Sequence, residues 1–117
     1  MIEGSFKSTH NYNQRLEEAN RIMEKYEYRY PIIVETQKKH ELTLDKCKFL
    51  VPNTLTVGQF IYTLRKRMKV KPEQAVFMFL NNMIVPTGGE IGNIYREFKD
   101  DDGFLYMVIS TENTFGF

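Results

Sequence analysis

Cys47 and His40, seven positions apart, form the one pairing in this chain that could supply nucleophilic catalysis: a thiol, an imidazole to take its proton, and Lys46 and Lys48 on either side to lower the thiol pKa. Nothing else assembles around the pair, and a cysteine starting a strand with a histidine in a solvated loop accounts for both. A zinc site needs about four Cys or His ligands, and Cys47, His10 and His40 are all the chain has. Gly88, Gly89 and Gly92 lack the Lys-Ser/Thr that would complete a phosphate loop, so they are expected at a turn and a helix start. Asp100, Asp101 and Asp102 could face a cation, but an exposed turn explains them without one. No catalytic residue, metal or cofactor is expected.

Binding chemistry is better represented. RKRMKVK, residues 65–71, sets five cations in seven positions at a predicted helix C-terminus. A solvated end that complements the helix dipole and a site for an acidic partner both account for it. KFLVPNTL places Lys48 and Leu50 on one face of a predicted strand and Phe49 and Val51 on the other. At a sheet edge such a strand accepts a peptide strand, whose alternate side chains drop into adjacent pockets. The chain closes on STENTFGF, a tail that ends on one glycine, Gly116, and one more aromatic, Phe117.

These residues need a scaffold. At 117 residues and 42% apolar content the chain can bury one core and is too short for two ordinary domains. Its net charge of +1 predicts no nucleic-acid partner, so any electrostatic role is local. One cysteine excludes an internal disulfide, and the lack of an opening secretory segment fits a reducing, cytoplasmic compartment. No apolar run approaches the roughly 20 residues needed to cross a bilayer. Membrane attachment would have to be acquired.

Along the chain, residues 1–10 read as a short helix or an arm. Asn11 and Gln14 form a capping box ahead of Leu16, Ala19, Met23 and Tyr26 at helical spacing, with Ile22 beside Met23. Pro31 is expected to stop this helix, and Ile32, Ile33 and Val34 to form a strand. After a polar connection comes KFLV, then a second capping box, Thr56 with Gln59, and a helix carrying Val57, Ile61, Leu64 and Met68. AVFMFLNNMIVP reads as a strand, an Asn81-Asn82 turn and a short return. Thr87 and Glu90 are expected to cap a third helix bearing Ile91, Ile94, Tyr95 and Phe98. FLYMVIS has the continuous apolar character of a central strand. The fold class is therefore α+β, a β-grasp (ubiquitin-like) sheet with two additional N-terminal helices: an extension at 1–27, a core at 28–110 and a flexible tail at 111–117.

KFLVPNTLTVGQFIYTLRKRM, VFMFLNNMIVPT, GNIYREF and DDGFLYMVISTENTFGF together resemble the ubiquitin-like autophagy modifier family, closer to its GABARAP branch than to its light-chain-three branch. The likeness covers nearly the whole chain. It implies a non-enzymatic modifier, trimmed after Gly116 by a processing cysteine protease that removes Phe117. Activating and conjugating enzymes would then join Gly116 to phosphatidylethanolamine, giving a cytoplasmic protein that moves to autophagosomes and other intracellular membranes. It also implies capture of partners bearing an aromatic-x-x-aliphatic motif. The aromatic would enter a first pocket of Glu18, Ile22, Pro31, Ile33, Lys48, Leu50 and Phe104. The aliphatic would enter a second of Phe49, Val51, Pro52, Leu55, Phe60 and Leu64. Arg29, Lys46, Lys48 and Arg67 would meet the acidic residues that flank such motifs.

Three positions depart from the family pattern. Thr63 stands where an aliphatic residue usually lines the second pocket, YEYR keeps Tyr26 and Arg29 but changes the pair between them, and the N-terminal helices are less basic than in the GABARAP branch, which weakens any carry-over of tubulin association. A peptide-binding adaptor of intracellular membrane trafficking that is never conjugated is the alternative function, and an enzyme built on Cys47 a third.

Overall fold

The computed structural model describes residues 5–36 and 44–111. Its order is α1 (Phe6–Thr9), α2 (Tyr12–Lys25), β1 (Arg29–Thr36), β2 (Lys48–Pro52), α3 (Val57–Arg65), β3 (Phe77–Leu80), β4 (Met83–Ile84), α4 (Ile91–Phe98) and β5 (Leu105–Ser110). The five strands form one sheet in the order β2-β1-β5-β3-β4. β1 and β5 run parallel in the middle, while β1·β2, β3·β4 and β3·β5 are antiparallel. A parallel central pair flanked by antiparallel partners, with α3 crossing over one face, is the β-grasp.

Two of the expected helix starts have their reciprocal caps. Asn11 Oδ1 accepts from Gln14 N–H while Gln14 Oε1 accepts from Asn11 N–H, and Thr56 and Gln59 repeat the exchange. The third start differs: the N-cap of α4 is Glu90, with no side-chain cap bond. Thr87 instead contributes its carbonyl, which accepts from Gly58 N–H at 2.9 Å. Glu90 is bridged to Thr56, so the start of α4 is held by backbone pairing. The first long helix also ends before its expected stop, at Lys25, with Tyr26 as C-cap. Pro31 lies inside β1, opposite Leu50. The ladder from β1 to β5 begins only at Ile32, so the missing N–H of Pro31 costs no sheet bond. The Asn81-Asn82 turn has φ of 49° and 65°, the left-handed pair that a two-residue hairpin needs.

Alternation along the strands divides the interior in two. Ile32, Val34, Phe49, Val51, Leu105, Met107 and Ile109 face α3 and α4 and form the main core with Val57, Phe60, Leu64 and Ile91. The opposite face carries a smaller core of Phe6, Ala19, Ile33 and Phe104, bordered by Ile22, Cys47 and Tyr106. α1 is docked there. Its Phe6 N–H donates to Glu35 Oε2 at 2.9 Å, and Lys7 Nζ pairs with Asp100 Oδ1 at 2.7 Å.

The aspartate run departs most from expectation. Asp102 is completely buried, where an exposed turn was expected. Its Oδ1 accepts from Phe104 N–H at 2.8 Å, and its Oδ2 accepts from Arg15 Nε at 2.8 Å and from the Tyr106 hydroxyl. Burial, reinforced by the bond to Asp102, pushes the Tyr106 hydroxyl far above its ordinary range. The next residue, Gly103, has φ of +93°, and a Cβ there would lie 2.8 Å from the Cβ of Ala19. Both residues therefore govern how closely α2 approaches the sheet.

Two outcomes follow. Asp102→Ala leaves the Arg15 guanidinium without its buried partner and lowers unfolding free energy by about 3 kcal/mol, read from urea melts, whereas Asp101→Ala on the exposed shoulder changes it by under about 0.5 kcal/mol. Gly103→Ala, strained in backbone and space alike, costs on the order of 2 kcal/mol, and Gly88→Ala, whose Cβ meets nothing within 4 Å, costs far less.

Acid should act first on α1. Burial is the largest single influence and opposes ionisation of Asp100, but the bond from Lys7, the Asp102 N–H and the Lys7 and Arg15 charges together outweigh it and hold the carboxyl below its ordinary 3.8. Its contribution is complete above that ordinary value and is lost as pH falls through the depressed one. Protection of the α1 amides against hydrogen exchange is expected to fall below pH 3.8 while that of β5 persists.

Candidate functional site

Among the described residues, β2 ends the sheet and pairs on one side only. Asn53 N–H donates to Tyr28 O and Val34 N–H to Cys47 O. Alternation from these bonds makes Phe49 and Val51 the residues whose backbone bonds to β1, and turns the backbone of Lys48 and Leu50 to the free edge. The Leu50 carbonyl already has a guest, since Arg29 Nη1 donates to it at 3.1 Å. A charged side chain over an open edge discourages indiscriminate strand pairing, yet an exposed arginine is cheap to displace.

Beside this edge, α2 and β2 enclose an open cleft of about 600 Å³. Glu18, Arg21, Ile22, Lys25 and Tyr26 supply one wall, and Lys46, Lys48 and Leu50 the other. The first set falls at helical i, i+3, i+4, i+7, i+8 spacing, so one face of α2 and its C-cap Tyr26 form the wall. The Lys48 ammonium pairs with the Glu18 carboxylate across the cleft. With Lys48 41% exposed, that pair is worth under about 1 kcal/mol and can open for a ligand. Four cations against one carboxylate leave the cleft basic.

Glu18, Ile22, Lys48 and Leu50 of the expected first pocket therefore line one cleft. Pro31, Ile33 and Phe104 do not line it; all three are buried, Ile33 and Phe104 in the small core. Arg21, Lys25 and Tyr26 were missed, though extending the helical spacing from Glu18 and Ile22 reaches each of them. Of the expected second pocket, Phe49, Val51, Phe60 and Leu64 are packed in the main core, with the rings of Phe49 and Phe60 edge to face at 5.7 Å. Pro52 and Leu55 are half-buried. Thr63 is exposed and donates to the Gln59 carbonyl on its own helix.

The cations expected to meet acidic flanks hold positions nearby. Lys46 Nζ lies 4.9 Å from the centre of the Phe49 ring, and Arg67 lies 5.9 Å from it. Arg67 Nη1 donates to both carboxylate oxygens of Asp45 at 2.9 Å. The basic run 65–71 has a structural share as well. Arg65 ties down the following loop by donating to the carbonyls of Gln74 and Lys71 at 2.9 and 3.1 Å. Lys69 and Lys71 are exposed.

The thiol chemistry weighed for Cys47 fails on electrostatics. Burial and the nearby Glu35 charge raise its pKa, and Lys48 does not offset them, so the expected lowering by the flanking lysines is reversed. His40, Gly116 and Phe117 lie outside the described residues. Among the described residues, no three His, Cys, Asp or Glu side chains gather where they could hold a metal ion.

Comparison with known proteins places this arrangement. The family described as autophagy protein Atg8, ubiquitin like, matches residues 14–116. Autophagy-related protein 8B of Oryza sativa subsp. indica is 52% identical over 117 residues, covering 99% of this chain and 98% of its own. Autophagy-related protein 8 of Coccidioides immitis (strain RS) is 49% identical over 116 residues, covering 98% of this chain and 99% of its own. The crystal structure of Trypanosoma brucei ATG8 superposes with a TM-score of 0.88 at 43% identity, over 95% of this chain and 97% of that one. The chain belongs to the Atg8 family of ubiquitin-like autophagy proteins, which are modifiers and adaptors and not enzymes.

Proposed function

We propose that the protein is a membrane-conjugated modifier that recruits partners through a peptide strand added at β2. The observation that carries this reading is the coincidence, among the described residues, of an unpaired sheet edge with a basic cleft of about 600 Å³ beside it. An extended peptide would satisfy the outward backbone of Lys48 and Leu50 and displace Arg29 from the Leu50 carbonyl. An aromatic side chain would enter between Ile22 and Leu50, opening the Lys48–Glu18 pair. Acidic residues ahead of the aromatic would meet Arg21, Lys25, Lys46 and the released Lys48, and Arg29 would be free to join them. The aliphatic residue three positions on would need Phe49, Leu55 and Phe60 to part slightly between β2 and α3.

The conjugation half of the proposal is supported by the extent of the family match, which runs through Gly116. A cysteine protease would hydrolyse the Gly116–Phe117 amide, and an activating enzyme would convert the new carboxylate to an acyl adenylate, releasing pyrophosphate from ATP. A cysteine thiolate would displace AMP to give a thioester. The amine of phosphatidylethanolamine would displace that thiolate and form the final amide. Two acyl chains anchor a protein stably where one is marginal. The protein would then pass from the cytoplasm to autophagosomal and other intracellular membranes.

Intact-mass spectra from starved cells are expected to show loss of Phe117 followed by a lipid adduct, and Gly116→Ala should show neither. An unmodified full-length chain that persists through starvation would support the adaptor that is never conjugated. The paired substitution Lys48→Ala with Leu50→Ala should weaken binding of an acidic, Trp-x-x-Leu peptide by at least about 30-fold in calorimetry while leaving the urea midpoint nearly unchanged.

A further inference from the structure

We propose that the segment following α3 is a docking surface for anionic lipid headgroups, on which Lys66, Lys69 and Lys71 hold the anchored domain with its strands upright on the membrane. The inference rests on the conjugation reading above and names the surface that conjugation would bring into contact.

Part of the basic run is engaged within the domain. Arg65 donates to the carbonyls of Gln74 and Lys71, and Arg67 is paired with Asp45. Lys66, Lys69 and Lys71 are exposed, and among the described residues none of them has a carboxylate partner. Lys66 lies instead over the ring of Tyr62, one turn earlier on α3, at 4.7 Å, and Tyr62 is itself 64% exposed. A tyrosine beside lysines suits the boundary between lipid headgroups and water. Glu73 is the one acidic residue between positions 66 and 76. The helix dipole favours cations within the last turn, and Lys69 and Lys71 lie beyond it.

Sheet register decides where these cations stand. Ser110, the last residue of β5, is opposite Phe77, the first of β3. The Arg65 bond to the Gln74 carbonyl draws the loop against the end of α3 just before β3 begins. The chain therefore leaves the sheet for Gly116 at the end of the molecule that carries the lysines. Gly116 is six residues beyond Ser110, so even a fully extended chain separates them by no more than about 20 Å. A lipid joined there keeps this end within that reach of the headgroups. Electrostatic attraction decays over about 8 Å at physiological salt, so the tether is what brings loop and surface into range. Each lysine at an anionic cytoplasmic leaflet strengthens the attraction about fivefold. The three together select one orientation, in which the strands run away from the membrane and the open edge of β2 faces sideways, where a peptide can reach it.

The test tethers the protein without enzymes. A chain ending at position 116, with Cys47→Ser and Gly116→Cys, is coupled through the thiol at 116 to a maleimide lipid in nanodiscs that carry a trace of gadolinium-chelating headgroups. On discs with about 30 mol% phosphatidylserine, the amide signals of residues 66–71 should broaden at least about threefold more than those of Tyr28 and Met83, which lie at the other end of the sheet. On phosphatidylcholine discs, in about 0.5 M salt, or with Lys66→Gln, Lys69→Gln and Lys71→Gln combined, the difference should disappear. A difference that survives the triple substitution, or is the same on neutral discs, overturns the proposal. So does a triple variant that keeps its orientation on the discs but is poorly conjugated by the activating and conjugating enzymes, which would assign the lysines to an acidic enzyme surface. If Gly116 carries no lipid in cells, the conjugation reading fails, and the tethered discs alone still decide whether this end of the domain prefers an anionic membrane.

Discussion

A buried carboxylate organises the face of the sheet that carries the cleft. Asp102 has no solvent exposure, and its two oxygens accept from a backbone amide, a guanidinium and a phenol belonging to Phe104, Arg15 and Tyr106. An ionised group taken from water is tolerated only with partners of this quality. The arrangement joins the start of β5 to the first half of α2, so the helix cannot slide along the sheet without stranding a charge. Gly103 adds a steric reason at the next position, where only a residue without Cβ fits against Ala19. The cleft inherits its far wall from these two contacts.

Charge is used differently at the other wall. Lys48 and Glu18 face each other across a half-open cleft, Arg29 rests on a free carbonyl, and Arg67 is held by an exposed Asp45. Each of these pairs is near the surface, where water competes and the interaction is weak. Under the docking proposal, that distribution would let a ligand displace the pairs that cover the cleft in the free protein. A buried pair sits where α2 is anchored, and partly exposed pairs sit at the cleft and the sheet edge. The sheet edge follows the same logic, because the open side of β2 is a liability unless a charged side chain shields it.

Much of this was legible in the chain. Capping boxes at Asn11 and Thr56, the Asn81-Asn82 turn and the alternation in KFLV are local, and local patterns survive folding because their partners lie within a few residues. Errors arose where a residue's partner is distant in sequence. Pro31 looks like a helix stop, yet tolerance for it in β1 depends on where the ladder to β5 begins, more than 70 residues away. Asp102 looks like one of three turn aspartates, yet its partner Arg15 lies 87 positions earlier. The site divided in the same way. Helical spacing marks Glu18 and Ile22 and reaches Arg21, Lys25 and Tyr26 once extended, whereas the burial of Ile33 and Phe104 beneath α1 has no signature in either strand.

By itself the sequence determined the kinds of element and their order, the alternation of residues along β2, and the family to which the chain belongs, because periodicity, caps and motif sets are written in near neighbours. Only the tertiary structure decided which charges are buried and which are free, that Cys47 is electrostatically quiet, and that Phe6 packs on Phe104 in the small core. Those properties depend on dielectric surroundings and packing, and both are made by residues brought together from opposite ends of the chain.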